Sequence, residues 1–276
     1  MDLQLNNAAV FISGGTKGMG YATAIRYAEE GARVCVTGRE QAAIDNTVAD
    51  MQAAGSPDAL GMSMDLYDPQ QIEDTFKKIN DRWGELNTLI NVTGVADSPG
   101  DIDFTEISEE NWRAALDIGL MSAVRCCRAA LPLIRKADWG RIINVSTLAA
   151  RMSSPAYFSY GVSKAALQNF TKTLAQALGP EEILVNLISP GAIHTPTMDV
   201  WMDATNAEER GFVKGDLKSV HGWLKSTFES GGAAGWIGRV ADKSEIAPLM
   251  ALMGSPLNSY ITGADINVDG GTPYLS

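Results

Sequence analysis

Short apolar runs alternate with longer amphipathic stretches along most of the chain, and this alternation constrains the fold more than any other feature. The run AAVFIS is followed by an amphipathic stretch over about 18–31, then by RVCVT, a second amphipathic stretch over about 41–54, and ALGMSMD. A short apolar run predicts a buried strand, and a period near 3.6 residues predicts a helix. The resulting order, βαβαβ, predicts a parallel sheet with helices on both faces.

The same alternation continues towards the carboxyl end. Further helices are predicted over about 69–83, 109–135 and 157–178, with the runs LNTLIN, GRIINVS and ILVNLIS between and after them, which gives six parallel strands. The alternation stops over about 196–236 and resumes with a last helix and the strand ADINVDGG. Because no internal repeat or linker divides the chain, we predict one domain over 1–276, a doubly wound α/β fold with a substrate-covering insertion at about 196–236.

Composition narrows the classes of partner. Lys plus Arg number 22 against 33 Asp plus Glu, so the formal net charge is -11 and most of the surface should repel a phosphate backbone. The three cysteines form no zinc-binding or CxxC pattern, which fits a reducing cytoplasm and no metal site. No run approaches the ~20 apolar residues of a membrane span. We therefore expect a cytoplasmic protein that binds a small molecule, and neither nucleic acid nor a membrane.

The first predicted strand runs directly into the glycine-rich segment SGGTKGMG, which opens the first helix. Missing side chains at Gly14, Gly18 and Gly20 would let backbone N–H groups and the positive end of the helix approach a pyrophosphate. A glycine-rich turn can also be only a tight turn, but its position at the start of a βαβ unit favours dinucleotide binding. The other residues of this loop that we expect to contact the dinucleotide are Thr16, Lys17 and Met19.

The end of the second predicted strand indicates which dinucleotide binds. A carboxylate that accepts from the adenosine ribose 2′-OH is expected there for NAD(H), but RVCVTGRE places Gly38 and then Arg39 at this point. The planar guanidinium of Arg39 can hold a 2′-phosphate, and Lys17 can add a second positive charge. Either cation alone is more simply an ordinary surface residue, but the two together predict NADP(H).

A phenol and an ammonium lie four residues apart in YGVSK, at Tyr160 and Lys164. On a helix this spacing places both side chains on one face, so they can share a site. A free tyrosine has a pKa of about 10, and a nearby ammonium is expected to lower that pKa by stabilising the phenolate. Tyr160 would then act as a general acid or base. An isolated pair of this kind is more often a solvated helix face, but the glycine loop favours the functional interpretation.

These motifs together resemble those of the short-chain dehydrogenase/reductase family. SGGTKGMG is similar to the family's TGxxxGxG, YGVSK to its YxxxK, ISPGAIHT to its PGxxT segment and ITGADINVDGG to its usual carboxyl end. The resemblance implies a Rossmann-type fold, a homodimer or homotetramer, and hydride transfer between a nicotinamide and a carbonyl or alcohol carbon. It implies that Tyr160 exchanges the proton and Lys164 binds the nicotinamide ribose. The further cofactor contacts that it implies are Asp65, Leu66, Asn91, Gly94, Pro190, Gly191, Ile193 and Thr195.

Two positions depart from the family's pattern. The family usually has an asparagine in the helix before the fifth strand, where it helps to hold a water behind the lysine, and Gly119 aligns with it. The substrate-orienting serine normally lies thirteen residues before the tyrosine, and this count gives Thr147, with Ser146 next to it. Threonine retains the hydroxyl donor, so Thr147 is the predicted third catalytic residue.

Two functions follow as alternatives. The favoured one is an NADP(H)-dependent oxidoreductase that interconverts a secondary alcohol and a ketone of a hydrophobic small molecule. The other is a cofactor-binding sensor or subunit without turnover, which Gly119 and Thr147 motivate and the intact pair of Tyr160 and Lys164 opposes. The large apolar side chains of the insertion either cover a substrate or only pack the insertion onto the core. They are Met198, Trp201, Met202, Phe212, Trp223, Phe228 and Trp236.

Overall fold

The computed structural model describes residues 1–93, 103–152, 157–227 and 235–272. Within these ranges one sheet contains the strands β1 (Ala9–Ser13), β2 (Arg33–Gly38), β3 (Ala59–Ser63), β4 (Thr88–Asn91), β5 (Gly140–Val145), β6 (Ile183–Pro190) and β7 (Asp265–Val268). The strand order is β3-β2-β1-β4-β5-β6-β7, and all neighbouring strands are parallel. The chain therefore builds the sheet outwards from β1 in both directions, which confirms the predicted doubly wound fold.

Helices cover both faces of this sheet. They are α1 (Gly18–Glu29), α2 (Gln41–Ala54), α3 (Pro69–Trp83), α4 (Glu109–Leu116), α5 (Ser122–Ile134), α6 (Phe158–Leu178), α7 (Pro196–Ala204), α8 (Leu217–Thr227) and α9 (Ala247–Met253). A π-helical segment, Asp117–Met121, joins α4 to α5. The helix predicted over about 109–135 is thus one helical path with an irregular turn in its middle, and single-turn irregularities of this kind occur frequently at functional sites.

Alternate residues of the central strands point to opposite faces and so contribute to two separate cores. Val10 and Ile12 of β1 pack on the face that carries α1 and α9. Phe11 points to the other face, where its ring lies 4.6 Å from that of Phe76 in α3, measured between centroids. Burial on both faces explains why the strands are almost continuously apolar in sequence.

Local sequence signals explain where α3 begins and ends. The Asp68 carboxylate accepts from the backbone N–H groups of Gln70 and Gln71, and Pro69 occupies the first helical turn, where a missing N–H costs nothing. Gly84 ends the helix in the left-handed conformation, with φ of 77°. The cap at Asp68 fixes the end of the loop between β3 and α3, and this loop contributes to the cleft at the carboxyl ends of the strands.

The region predicted as an insertion is largely helical and has a core of its own. Trp223 and Met202 are fully buried in a cluster with Val220 and Leu224, and the Trp223 indole donates to Thr205 Oγ1. Some of the large apolar side chains of the insertion therefore pack it onto the protein, which is one of the two alternatives given for them above. Phe228 lies outside the described residues. None of the helices in the described ranges is both long and apolar enough to cross a bilayer.

Candidate active site

The carboxyl ends of the strands open into a cleft of about 810 Å³. The cleft lies at the carboxyl ends of the neighbouring strands β1 and β4, on either side of which the strand order runs in opposite directions, and this is the usual ligand position in open α/β sheets. Its adenosine half is defined here by Lys17, Arg39, Glu40 and Asp65. Its catalytic half is defined by Thr147, Tyr157, Tyr160, Met198, Trp201 and Leu224, with Lys164 buried behind them.

The glycine loop between β1 and α1 brings bare backbone to the cleft. Gly14 and Gly18 have φ of +72° and +53°, a left-handed conformation that favours glycine. A Cβ on Gly18 would point across to Thr195, at 3.4 Å from its Cγ2 atom. No side chain caps the first turn of α1, so its N–H groups are free to bind an anion. Gly20 has a different role, because a Cβ there would lie 2.2 Å from the Gly14 carbonyl oxygen inside the loop.

Both predicted cations of the adenosine half line the cleft. Arg39 is exposed at the end of β2, and Lys17 lies across from it in the glycine loop. Gly38 is required by packing, since a Cβ there would approach Thr16 Oγ1 to 2.8 Å. Asp65 and Leu66 also line this half. These predicted adenosine contacts are therefore brought together by three separate loops, after β1, β2 and β3.

In the catalytic half the Tyr160 and Thr147 side chains face the same space, whereas Ser146 does not. Thr147 follows β5, its hydroxyl accepts from the Ala149 N–H at 3.3 Å, and it also interacts with the Tyr160 phenol. Ser146 is buried, and its hydroxyl donates to the Lys164 carbonyl at 3.4 Å. This opposite orientation is expected of successive residues in extended backbone.

Lys164 is almost fully buried, at 1% exposure, and does not bind the Tyr160 phenol. Its Nζ atom donates to the carbonyl oxygens of Thr93 at 2.8 Å and Val145 at 2.9 Å, at the ends of β4 and β5. Burial disfavours the ammonium and lowers the pKa of Lys164 to about 7. The lysine thus ties two strand ends together directly below the tyrosine.

The expectation that Lys164 lowers the pKa of Tyr160 is wrong for this structure. Burial raises the pKa of Tyr160 to about 12, the Thr147 hydroxyl opposes this shift, and the neighbouring Tyr157 adds to it. The physical reason is that the Lys164 ammonium points at two carbonyls and is itself destabilised by burial. Tyr160 is therefore held in its protonated form at neutral pH.

The structure explains the glycine at position 119. Gly119 lies in the π-helical segment against α6, where an added Cβ would approach Ser163 Oγ to 2.3 Å and Ser163 Cβ to 2.8 Å. The Ser163 hydroxyl donates to the Tyr160 carbonyl at 2.8 Å. The volume in which an asparagine side chain would begin is thus filled by Ser163, within the catalytic helix itself.

Some residues predicted to contact the cofactor lie beneath the cleft surface. The Asn91 amide donates to Asn144 Oδ1 at 2.9 Å inside the sheet, and its neighbours Val92 and Thr93 line the cleft instead. Pro190 is buried at the end of β6. Gly94 lies outside the described residues. The remaining predicted positions that line the cleft are Gly14, Thr16, Gly18, Met19, Gly38, Gly191, Ile193 and Thr195.

Sequence reasoning missed several residues of the cleft. Tyr157 lies directly before α6 and three residues before Tyr160, and the centroids of the two rings are 6.3 Å apart. Glu40 follows Arg39 and reaches the adenosine half. The sequence indicates both residues, because Tyr157 lies three residues before Tyr160 and Glu40 directly follows Arg39. Ile118, Leu148 and Leu224 have none, because only the tertiary packing brings them to the cleft.

Comparisons with known proteins show the family of this chain. A family model described as enoyl-(acyl carrier protein) reductase matches residues 14–273. The short-chain reductase protein NovJ of Streptomyces niveus is 32% identical over 266 residues, which cover 96% of this chain and 94% of NovJ. Dehydrogenase/reductase SDR family member 4 of Homo sapiens is 31% identical over 273 residues, covering 98% and 88% of the two chains. The chain therefore belongs to the short-chain dehydrogenase/reductase family of oxidoreductases, as its motifs indicate.

A solved structure extends the likeness to three dimensions. L-sorbose reductase from Gluconobacter frateurii, crystallised as a complex with NADPH and L-sorbose, matches with a TM-score of 0.84 and 27% sequence identity. The match covers 99% of this chain and 98% of that one. It confirms the Rossmann-type fold.

Proposed function

We propose that this protein is an NADP(H)-dependent oxidoreductase that interconverts a secondary alcohol and a ketone of a hydrophobic small molecule. The observation that carries the proposal is the arrangement of Tyr160, Thr147 and Lys164. Two hydroxyl groups face one cleft, and a buried lysine holds the backbone directly behind them. The predicted homodimer or homotetramer and the cytoplasmic location remain expectations from the family resemblance and the composition.

The residues of the cleft fit a phosphorylated dinucleotide. The uncapped first turn of α1 and the bare backbone of the glycine loop suit a pyrophosphate, and Arg39 and Lys17 suit a 2′-phosphate. The complex of L-sorbose reductase with NADPH supports the same choice of cofactor. When bound, the nicotinamide supplies or accepts the hydride. The family resemblance further assigns Lys164 to the nicotinamide ribose, and Ile193 and Thr195 to the carboxamide.

The chain's own residues supply the proton and the orientation. Thr147 donates a hydrogen bond to the substrate oxygen and so fixes it beside Tyr160. Tyr160 gives its proton to this oxygen during reduction, and takes it back during oxidation. The phenol of Tyr160 carries its proton at neutral pH, as reduction requires, and burial raises its pKa to about 12. Lys164 positions Tyr160 by holding the ends of β4 and β5.

The lining of the catalytic half favours a neutral, apolar substrate. Tyr157, Met198, Trp201 and Leu224 line it, whereas the charged side chains that line the cleft within the described residues all belong to the adenosine half. Among the described residues of this half a charged substrate would find no counter-ion, and it would lose its hydration. These features favour hydrophobic ketones over keto acids, and over sugars such as that bound by L-sorbose reductase.

A sensor or subunit without turnover is the competing function. It is favoured by the replacement of the usual asparagine by Gly119, which packs against Ser163, and by the absence of a contact between Lys164 and the Tyr160 phenol. The deciding experiment follows NADPH consumption with neutral cyclic and aromatic ketones, L-sorbose and a keto acid. We expect turnover with the neutral apolar ketones. Tight binding of NADPH without turnover of any substrate would favour the sensor.

A further inference from the structure

A carboxylate lies at the adenosine end of the cleft, where two cations are proposed to bind the 2′-phosphate. Glu40 follows Arg39 directly after β2, and both side chains line the cleft with Lys17. The Glu40 Oε1 atom lies 3.2 Å from Lys17 Nζ, and the side chains are 71% and 60% exposed, respectively. One of the two cations is therefore already paired with a carboxylate of the same chain.

The other cation differs in this respect. In the parts of the chain that the structure describes, the Arg39 guanidinium makes neither a hydrogen bond nor an ion pair, and it is exposed. Arg39 is thus available to a ligand, whereas Lys17 already shares its ammonium with Glu40. The two cations are consequently not equivalent towards a 2′-phosphate.

The ion pair between Lys17 and Glu40 is weak enough for a ligand to replace it, and strong enough to change the affinity for that ligand. An exposed pair of this kind contributes about 0–1 kcal/mol, so a phosphate dianion can displace the carboxylate from Lys17. When no 2′-phosphate is present, the Glu40 carboxylate is an acceptor of the kind that binds the ribose 2′-OH of NAD(H). We infer that Glu40 moderates cofactor selectivity, because its ion pair with Lys17 weakens binding of a 2′-phosphate and keeps NADH usable. This inference rests on the proposed NADP(H) binding.

The test measures binding rather than turnover. Adenosine 2′,5′-bisphosphate and adenosine 5′-monophosphate are titrated calorimetrically into the protein without other cofactor. We expect Glu40→Gln to tighten the bisphosphate Kd about threefold to tenfold and to change the monophosphate Kd less than about twofold. The matched control is Asp138→Asn, which removes the same charge from an exposed side chain before β5, at the opposite edge of the sheet. The control should leave both Kd values unchanged.

A second background tests the role of Lys17. When Lys17→Gln is already present, Glu40→Gln should lose at least half of its effect on the bisphosphate, because the ion pair no longer exists. An unchanged bisphosphate Kd in the single Glu40→Gln variant would overturn the inference. So would the full effect persisting in the Lys17→Gln background, or an equal effect in Asp138→Asn.

The same titrations separate this inference from the proposed function. If the unaltered protein does not distinguish the bisphosphate from the monophosphate, the proposed NADP(H) binding itself fails. If it does, and Glu40→Gln has no effect, only the role of Glu40 fails.

Discussion

The adenosine and catalytic halves of the cleft differ in how far water reaches their ionisable side chains. In the adenosine half the side chains of Lys17, Arg39 and Glu40 are exposed, so water and salt screen them. In the catalytic half burial lowers the pKa of Lys164 to about 7 and raises that of Tyr160 to about 12. The fold therefore shifts the pKa values of groups in the catalytic half, where the proposed proton transfer takes place. In the adenosine half, where the cofactor is selected, the charged side chains remain exposed to solvent.

This difference predicts how substitutions act. Groups of the catalytic half are few, preorganised and unscreened, so loss of one should remove orders of magnitude from the rate. Charges of the adenosine half are several and screened, so loss of one should change affinity modestly and in a salt-dependent way. The expected effects therefore decrease from the catalytic half to the adenosine half.

Tyr160→Phe should cause the largest loss. It removes the hydroxyl proton and leaves the ring, so we expect turnover of a ketone by NADPH to fall by about 10²–10⁴ while the Kd of NADPH stays nearly constant. Steady-state kinetics and fluorescence titration of NADPH measure the two effects. A variant that reduces ketones at the unaltered rate would show that another group transfers the proton.

Thr147→Ala should be the next most damaging change. It removes a donor that lines the cleft, and loss of such a preorganised donor costs about 10²–10³ in turnover. Ser146→Ala is the matched control, because the Ser146 hydroxyl faces the Lys164 carbonyl instead, and Thr147→Ser should retain activity. If the Ser146 variant is the inactive one, the orienting role belongs to Ser146.

Much of the fold and the positions of the site could be predicted from the sequence. The βαβ alternation is a local property of the chain, so the doubly wound sheet follows from it. The spacing in YGVSK and the strand before Thr147 place the two hydroxyls at one edge of the sheet because the carboxyl ends of parallel strands meet there. Arg39 and Lys17 reach the cleft for the same reason.

The ionisation of the site could not be predicted, because it depends on contacts between distant segments. The pattern in YGVSK shows that Lys164 and Tyr160 share a helix face, but not that the ammonium binds the carbonyls of Thr93 and Val145. Likewise, Gly119 has no visible partner in the sequence, although Ser163 fills its space. For Asn91 the motif implies a cofactor contact, but its amide donates to Asn144 inside the sheet.

The buried lysine should make stability depend on pH. An ordinary lysine in the unfolded chain has a pKa of about 10.4, whereas burial lowers that of Lys164 to about 7. Between these values the unfolded chain binds the proton and the folded protein does not, so the free energy of unfolding rises with pH. From pH 7 to 9 the gain should be about 2 kcal/mol relative to Lys164→Met. Urea unfolding of both proteins at the two pH values measures it, and parallel behaviour would contradict the burial of the charge.

Substitutions of the two cations of the adenosine half should have the smallest effects, because Arg39 and Lys17 are exposed. Arg39→Asp replaces the available cation by a carboxylate that repels a 2′-phosphate and accepts from a 2′-OH. We expect the Kd of NADPH to weaken about tenfold, which corresponds to about 1.4 kcal/mol, and that of NADH to improve. Lys17→Ala should act in the same direction but less, since Lys17 is already paired with Glu40.

Salt distinguishes selectivity at the 2′-phosphate from a general loss of structure. Raising the ionic strength should weaken NADPH binding to the unaltered protein more than binding to Arg39→Asp, because screening acts on the attraction that the substitution has removed. NADH binding should change little with salt in both proteins, because it lacks the 2′-phosphate. Equal loss of both cofactors in Arg39→Asp, independent of salt, would mean that Arg39 supports the fold of the loop after β2. A preference of the unaltered protein for NADH over NADPH would refute the proposed choice of NADP(H).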